Sequence, residues 1–233
     1  MHIKVGIVVF PGSNCDRDVY HVFKNILKVD TELIWHKRDD LRGFDAVILP
    51  GGFAYADRLR AGVIAAHSPV MQEVKRLAKD GLPILGICNG FQILVESELL
   101  PGAFMRNDTL RFICRWVSLR VNVDSKRSPF TTLLSNDQIL NIPIANQEGR
   151  YYVDDDTLNL MHKNRQIVLT YTNNPNGSLH SIACICNEQG NVMGIMPHPE
   201  RASDPMLNPL NHGNDGLLIF KSLLAYLGCD NHA

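Results

Sequence analysis

Apolar and polar positions along the first hundred residues alternate between two rhythms. Short β-type runs at Ile3 to Phe10, Glu32 to His36, Ala46 to Leu49 and Ile84 to Ile87 are separated by helical stretches at Asp16 to Leu27, Val63 to Asp80 and Gly90 to Leu99. A strand, helix, strand rhythm of this kind predicts a mostly parallel sheet with helices on both faces, in three layers. From Phe112 to Val123 and again from Ile167 to Met196 the pattern turns strand-rich, with a turn cluster at Asn173 to Ser178. This predicts an antiparallel extension of the sheet. A closing helix is expected from Gly213-Asn214-Asp215-Gly216 to about Leu227, and Ser203 to Asn214 reads as a surface loop. No repeat or linker interrupts the chain, so a single domain over residues 1–233 is expected.

Ligand chemistry in such sheets gathers at the carboxyl ends of the strands. Three loops leave strands there: Pro11 to Asn14, Pro50 to Phe53, and Cys88 itself. They are predicted to lie near one another. Cys88 stands between Gly86 and Gly90 where an apolar strand runs into a helix, the layout of a nucleophile elbow with sulfur in place of oxygen. The glycines permit a tight turn, and the following helix directs its amide dipoles at the thiol, favouring thiolate. A buried structural cysteine between two turn glycines is the competing reading of this stretch taken alone.

A cysteine nucleophile needs a base, and the base an orienter. Met196-Pro-His-Pro-Glu200 supplies both, because Val192 to Met196 reads as a strand and Pro197 and Pro199 are expected to hold the chain extended. His198 and Glu200 then share one side. Of nine histidines, His198 alone is locked between prolines after a strand. Oxyanion donors are expected from the amide of Asn89 and from the Gly51-Gly52 turn. Gln92, one helical turn after Cys88, is placed to read an amide or carboxylate. Cys15 is a rival nucleophile, but its expected place is the first turn of a helix capped by Ser13 or Asn14.

Composition narrows the classes. With 233 residues, 45% hydrophobic and 20% charged, the chain can bury a substantial core. A formal charge of -1 supplies no basic field for nucleic acid. No apolar run is long enough to span a bilayer, and the apolar start at Met1 to Phe10 reads as a strand, not a signal peptide. Six cysteines without close C-x-x-C pairs fit free thiols in a cytoplasmic protein. Cys184 and Cys186 read as small hydrophobes in a strand in preference to metal ligands.

Taken together, Phe10-Pro-Gly-Ser-Asn-Cys-Asp-Arg-Asp18, Leu49-Pro-Gly-Gly-Phe53, Leu59-Arg-Ala-Gly62, Gly86-Ile-Cys-Asn-Gly-Phe-Gln92 and Met196-Pro-His-Pro-Glu-Arg-Ala202 resemble the class I glutamine amidotransferases. Within them, the resemblance is to the glutaminase subunits of phosphoribosylformylglycinamidine synthase, and it covers nearly the whole chain. It implies a flavodoxin-like sheet, with Cys88 as nucleophile, His198 as acid and base, Glu200 as orienter and Gln92 in a glutamine pocket. It also implies that this chain binds no metal or organic cofactor. ATP and Mg would be used by a large synthetase subunit that takes up the ammonia, with a small accessory subunit bridging the two in many bacteria. The absence of a Walker loop or G-x-G-x-x-G agrees with placing ATP chemistry elsewhere.

Two stretches depart from the family pattern. Ala145-Asn-Gln-Glu-Gly-Arg150 stands where the family carries Ala-His-Gly-Glu-Gly-Arg, and Ala54-Tyr-Ala-Asp-Arg58 where it carries Ser-Tyr-Gly-Asp-Tyr. The first alters a loop expected beside the glutamine pocket, which leaves a scaffold without catalysis as an alternative. A free-standing cysteine hydrolase on a similar sheet is the other, but its hallmark is a histidine after the cysteine, where this chain has Asn89.

Overall fold

A computed structural model of the chain describes residues 3–124, 126–208 and 214–228. Its main sheet has nine strands in the order β2-β1-β3-β4-β11-β10-β9-β6-β7. The strands are β1 (Lys4–Val9), β2 (Asp30–Trp35), β3 (Ala46–Leu49), β4 (Ile84–Ile87), β6 (Ile113–Val121), β7 (Ile139–Asn146), β9 (Ile167–Tyr171), β10 (Ile182–Cys186) and β11 (Val192–Ile195). A two-stranded sheet pairs β5 (Ala103–Met105) with β8 (Arg150–Tyr152). Five strands, β2-β1-β3-β4-β11, run parallel, and each later neighbour is antiparallel.

The amino-acid pattern explains the division. β3, β4 and β11 are wholly buried, as strands covered on both faces must be. β7 instead alternates buried and partly open positions along its length, and β6 leaves Cys114, Arg115 and Arg120 exposed, so one face of this arm meets water. The order β2-β1-β3 reverses direction at β1, and right-handed crossovers therefore place the connecting helices on opposite faces.

Helix α1 (Asp16–Tyr20) continues as π-helical turns over His21–Ile26, closed by Leu27 N–H donating to Val22 O at 2.9 Å. The predicted helix from Val63 to Asp80 is two helices, α2 (Val63–Ala66) and α3 (Pro69–Lys79). Pro69 is the cause, since it forces Ser68 to an extended ψ of 150°. Helix α4 (Asn89–Glu96) follows β4 and touches β3, β4, β11 and α2. Helix α5 (Asp155–Lys163), capped by Asp154 through Thr157 N–H at 2.9 Å, joins β8 to β9. Helix α6 (Leu217–Tyr226) closes the chain, and its Phe220 meets Phe23 edge-on at 5.2 Å. The Gly213 expected to begin that helix, and part of the loop before it, lie outside the described residues.

The five described cysteines are free, and Cys184 and Cys186 are buried in β10. No helix among the described residues is long and apolar enough to cross a membrane.

Candidate active site

The three loops predicted to converge do so. Ser13 bridges to Gly52, Phe53 N–H donates to Gly12 O at 3.1 Å, and Cys15 N–H donates to Gly51 O at 3.3 Å. Cys88 ends β4 one strand away, and its own N–H donates to Ile195 O of β11 at 2.7 Å. Its backbone sits at φ 49°, ψ -104°, a strained conformation for any residue with a side chain. Close packing behind it requires glycine: a Cβ on Gly90 would stand 1.9 Å from Leu49 O. Helix α4 can therefore sit against β3 only with no side chain there.

β11 delivers His198 beside Cys88, because Ile87 and Ile195 are in register on adjacent parallel strands. His198 and Glu200 are each 2% exposed, and His198 Nδ1 lies 2.6 Å from Glu200 Oε1. The chain does not stay extended as predicted; Pro199–Ala202 form a 3₁₀ turn, in which Pro199 occupies the first position and pre-sets φ. The turn still brings the two side chains together. Burial disfavours a charged His198, but the Glu200 carboxylate and then the Cys88 and Cys15 sulfurs outweigh it and hold the imidazole pKa well above its ordinary value. His198 Nε2 makes no hydrogen bond within the described chain.

Cys15 lies nearer this pair than a place in a capped helix would suggest. It is itself the residue before α1, with no side-chain cap, and Ser13 Oγ instead accepts from Phe10 N–H at 3.1 Å. Its sulfur accepts from Arg201 Nη2 at 3.1 Å, and a Cβ on Gly51 would be 3.3 Å from both that sulfur and His198 Nδ1. Gly51 thus backs onto the histidine, while Gly52 lines the pocket that opens over Cys88.

That pocket is walled by Gly52, Phe53, Asp57, Cys88, Gln92 and residues 145–148. Gln92 is positioned by two bonds: its Nε2 donates to Glu148 O at 2.8 Å and its Oε1 accepts from Asn89 Nδ2 at 2.9 Å. Asn89 is 1% exposed, and its Oδ1 accepts from Ala54 N–H at 3.0 Å. Its side chain therefore ties the elbow to the 54–57 turn. The 145–149 wall is stitched by buried Asn107, whose Nδ2 donates to Asn146 O at 3.0 Å and whose Oδ1 accepts from Gly149 N–H at 3.0 Å. Ala145 O stands 3.8 Å from Cys88 Sγ. Asp57, Phe53 and Asn107 were not singled out from the sequence as site residues. The Ala54 to Arg58 departure was the visible signal at Asp57, and Asn107, distant in sequence from the turn it holds, gave none.

Comparison with known proteins agrees with this geometry. Residues 2–227 match the CobB/CobQ-like glutamine amidotransferase domain. A chain of the PurLQS structure from Thermotoga maritima is 42% identical, with a TM-score of 0.88, over 97% of this chain and 100% of that one. The fold also matches a glutamine amidotransferase from Thermotoga maritima, at TM-score 0.62 and 16% identity over 96% of this chain and 97% of that one. It matches the glutaminase domain of Trypanosoma brucei CTPS with bound acivicin, at TM-score 0.61 and 15% identity over 99% and 96%.

Proposed function

Because the chain belongs to the CobB/CobQ-like glutamine amidotransferase family, we propose that it is the glutaminase subunit of a phosphoribosylformylglycinamidine synthase, and that Cys88, His198 and Glu200 are its catalytic residues. The observation that carries the finer assignment is the 42% identity, over 97% of this chain and all of the other, to a chain of the PurLQS structure. The chemistry follows from the site. The Cys88 thiolate attacks the side-chain amide carbon of glutamine, and the oxyanion is met by backbone amides of the Gly51-Gly52 turn and Asn89. His198 gives its proton to the departing nitrogen, which leaves as ammonia. Water, deprotonated by His198, then cleaves the γ-glutamyl thioester, releasing glutamate and restoring the thiol. Glu200, buried and 2.6 Å from Nδ1, orients the ring and stabilises its charged form.

No step needs a metal or organic cofactor in this chain. The ammonia acceptor, formylglycinamide ribonucleotide, and the ATP and Mg that activate it belong in this reading to a large synthetase subunit, joined in some systems by a small accessory one. Leu59 and Met206 are each 93% exposed and sit on the 54–60 and 203–208 segments, which suits a partner closing over the site. The test is glutamate release by the chain alone and with the synthetase subunit, ATP and formylglycinamide ribonucleotide, beside Cys88→Ala. Partner-stimulated release that disappears in the variant is the expected result. Release unaffected by Cys88→Ala would remove the nucleophile, and no release in the complex would leave a scaffold.

A further inference from the structure

The 54–57 turn is built against its own backbone preference. Tyr55, Ala56 and Asp57 follow one another at φ 54°, 57° and 50°, and Leu59 adds a fourth left-handed residue at 69°. None is glycine, and such strain persists only where surroundings over-determine it. Here they do. Tyr55 N–H donates to Pro11 O at 2.6 Å, the Tyr55 hydroxyl bonds His36 Nδ1 at 2.9 Å and Ser68 Oγ at 3.2 Å, and Asn89 takes the Ala54 N–H. What the turn achieves is to place the Asp57 carboxylate in the wall of the Cys88 pocket, where Asn89 Nδ2 donates to its Oδ1 at 3.2 Å.

That carboxylate lacks a counter-ion. No cation stands within ion-pair distance of it among the described residues. The charge acting on it is the like charge of Glu148, which lines the same pocket and has Arg106 at 3.9 Å. Burial, with Glu148 second, pushes the Asp57 pKa up to about 6 against the lowering effect of Asn89. A partly buried carboxylate facing another carboxylate is costly unless something positive joins it. The pocket beside it holds the nucleophile.

We propose that Asp57 is a specificity-determining residue that receives the α-ammonium of the amino-acid substrate, so that the pocket selects an amide bearing that cation over an otherwise identical amide without it. The inference rests on the glutaminase reading above. The strained turn is then the mount for one charge, and Asn89 links that charge to the nucleophile's own helix. A substrate cation between Asp57 and Glu148 would relieve their repulsion, which makes the two carboxylates act together.

The test compares glutamine with glutaramate, which lacks only the α-ammonium. Turnover is measured for wild type and Asp57→Asn in the synthetase complex, and equilibrium binding of both ligands with the Cys88→Ser chain, with and without Asp57→Asn. Asparagine retains an acceptor for Asn89, so the turn keeps its tie. Expected is a tenfold or greater rise in KM and Kd for glutamine, little change in kcat, and a change within twofold for glutaramate. Wild-type affinity for glutamine should also fall below pH about 6 as Asp57 protonates, and neither the variant nor glutaramate should show that inflection. Equal weakening of both ligands would mean a structural role for the turn and overturn the proposal, as would unchanged discrimination. Absence of any glutamine binding or turnover in wild type would overturn the glutaminase reading itself, whereas normal glutamine turnover with unaltered discrimination would strike Asp57 alone.

Discussion

Ala56→Gly should make this protein more stable. Ala56 is exposed and held at φ 57°, ψ 31°, and unlike Tyr55 and Asp57 on either side its side chain makes no hydrogen bond to anchor it there. A left-handed conformation costs an L-residue about 1–2 kcal/mol through crowding of Cβ against the following carbonyl. Glycine escapes that penalty but gives up roughly 0.5–1 kcal/mol of additional backbone entropy on folding. The difference leaves a net gain of about 0.5–1 kcal/mol, which in a chain of this size corresponds to about 1–4 °C in Tm. Urea titration followed by circular dichroism reads it directly, with Ala225→Gly in α6 as the control, where helix propensity predicts a loss of about 1 kcal/mol. If both variants lose stability alike, the left-handed strain at Ala56 is not stored in the folded state and the reasoning fails.

Two further variants probe the Cys88 elbow and the His198–Glu200 pair. Gly90→Ala inserts a methyl 1.9 Å from Leu49 O and should cost about 3 kcal/mol, read as a lowered urea midpoint; a wild-type midpoint would mean α4 does not press on β3 as described. Glu200→Gln removes the carboxylate that keeps His198 charged and should lower kcat by roughly 10²–10⁴-fold. It also alters stability with a defined sign. A histidine whose folded pKa is raised contributes stability that is complete below its unfolded value near 6.5 and lost as pH climbs through the raised value. The stability gap between wild type and Glu200→Gln should therefore narrow as pH rises above about 6.5, and a gap constant with pH would show that the pair is not charged in the native protein.

How far the chain could be read in advance follows from the range of the interactions involved. The elbow at Cys88, the loop at Gly51-Gly52 and the buried parallel strands are set by neighbours in sequence, and each is legible in apolar runs punctuated by glycine. The break at Ser68-Pro69 was also legible in principle, since a residue before proline resists helix, but the apolar rhythm on either side masked it. Strand β7, the small β5–β8 sheet and α5 are not legible locally because their places depend on distant partners: β7 pairs with β6, and the turn after it is held by Asn107 from nearly forty residues earlier. Asp57 was hidden for a related reason. The departure at Ala54 to Arg58 marks its stretch but gives Asp57 no role until Asn89 and Tyr55 are seen to hold its turn over Cys88.

The register of β4 against β11 carries a consequence for how the protein comes into being. Ile87 and Ile195 are neighbours in space, yet the whole antiparallel arm is synthesised between them. At about 5–20 residues per second, a ribosome needs on the order of 5–20 s to travel from one to the other. During that interval the nascent chain owns the Cys88 elbow but not yet His198, and β4 stays unpaired on the side that β11 will take. On the proposed function, glutamine turnover cannot begin until β11, which leads into His198, has docked, and the appearance of activity is then a clock for completion of the sheet.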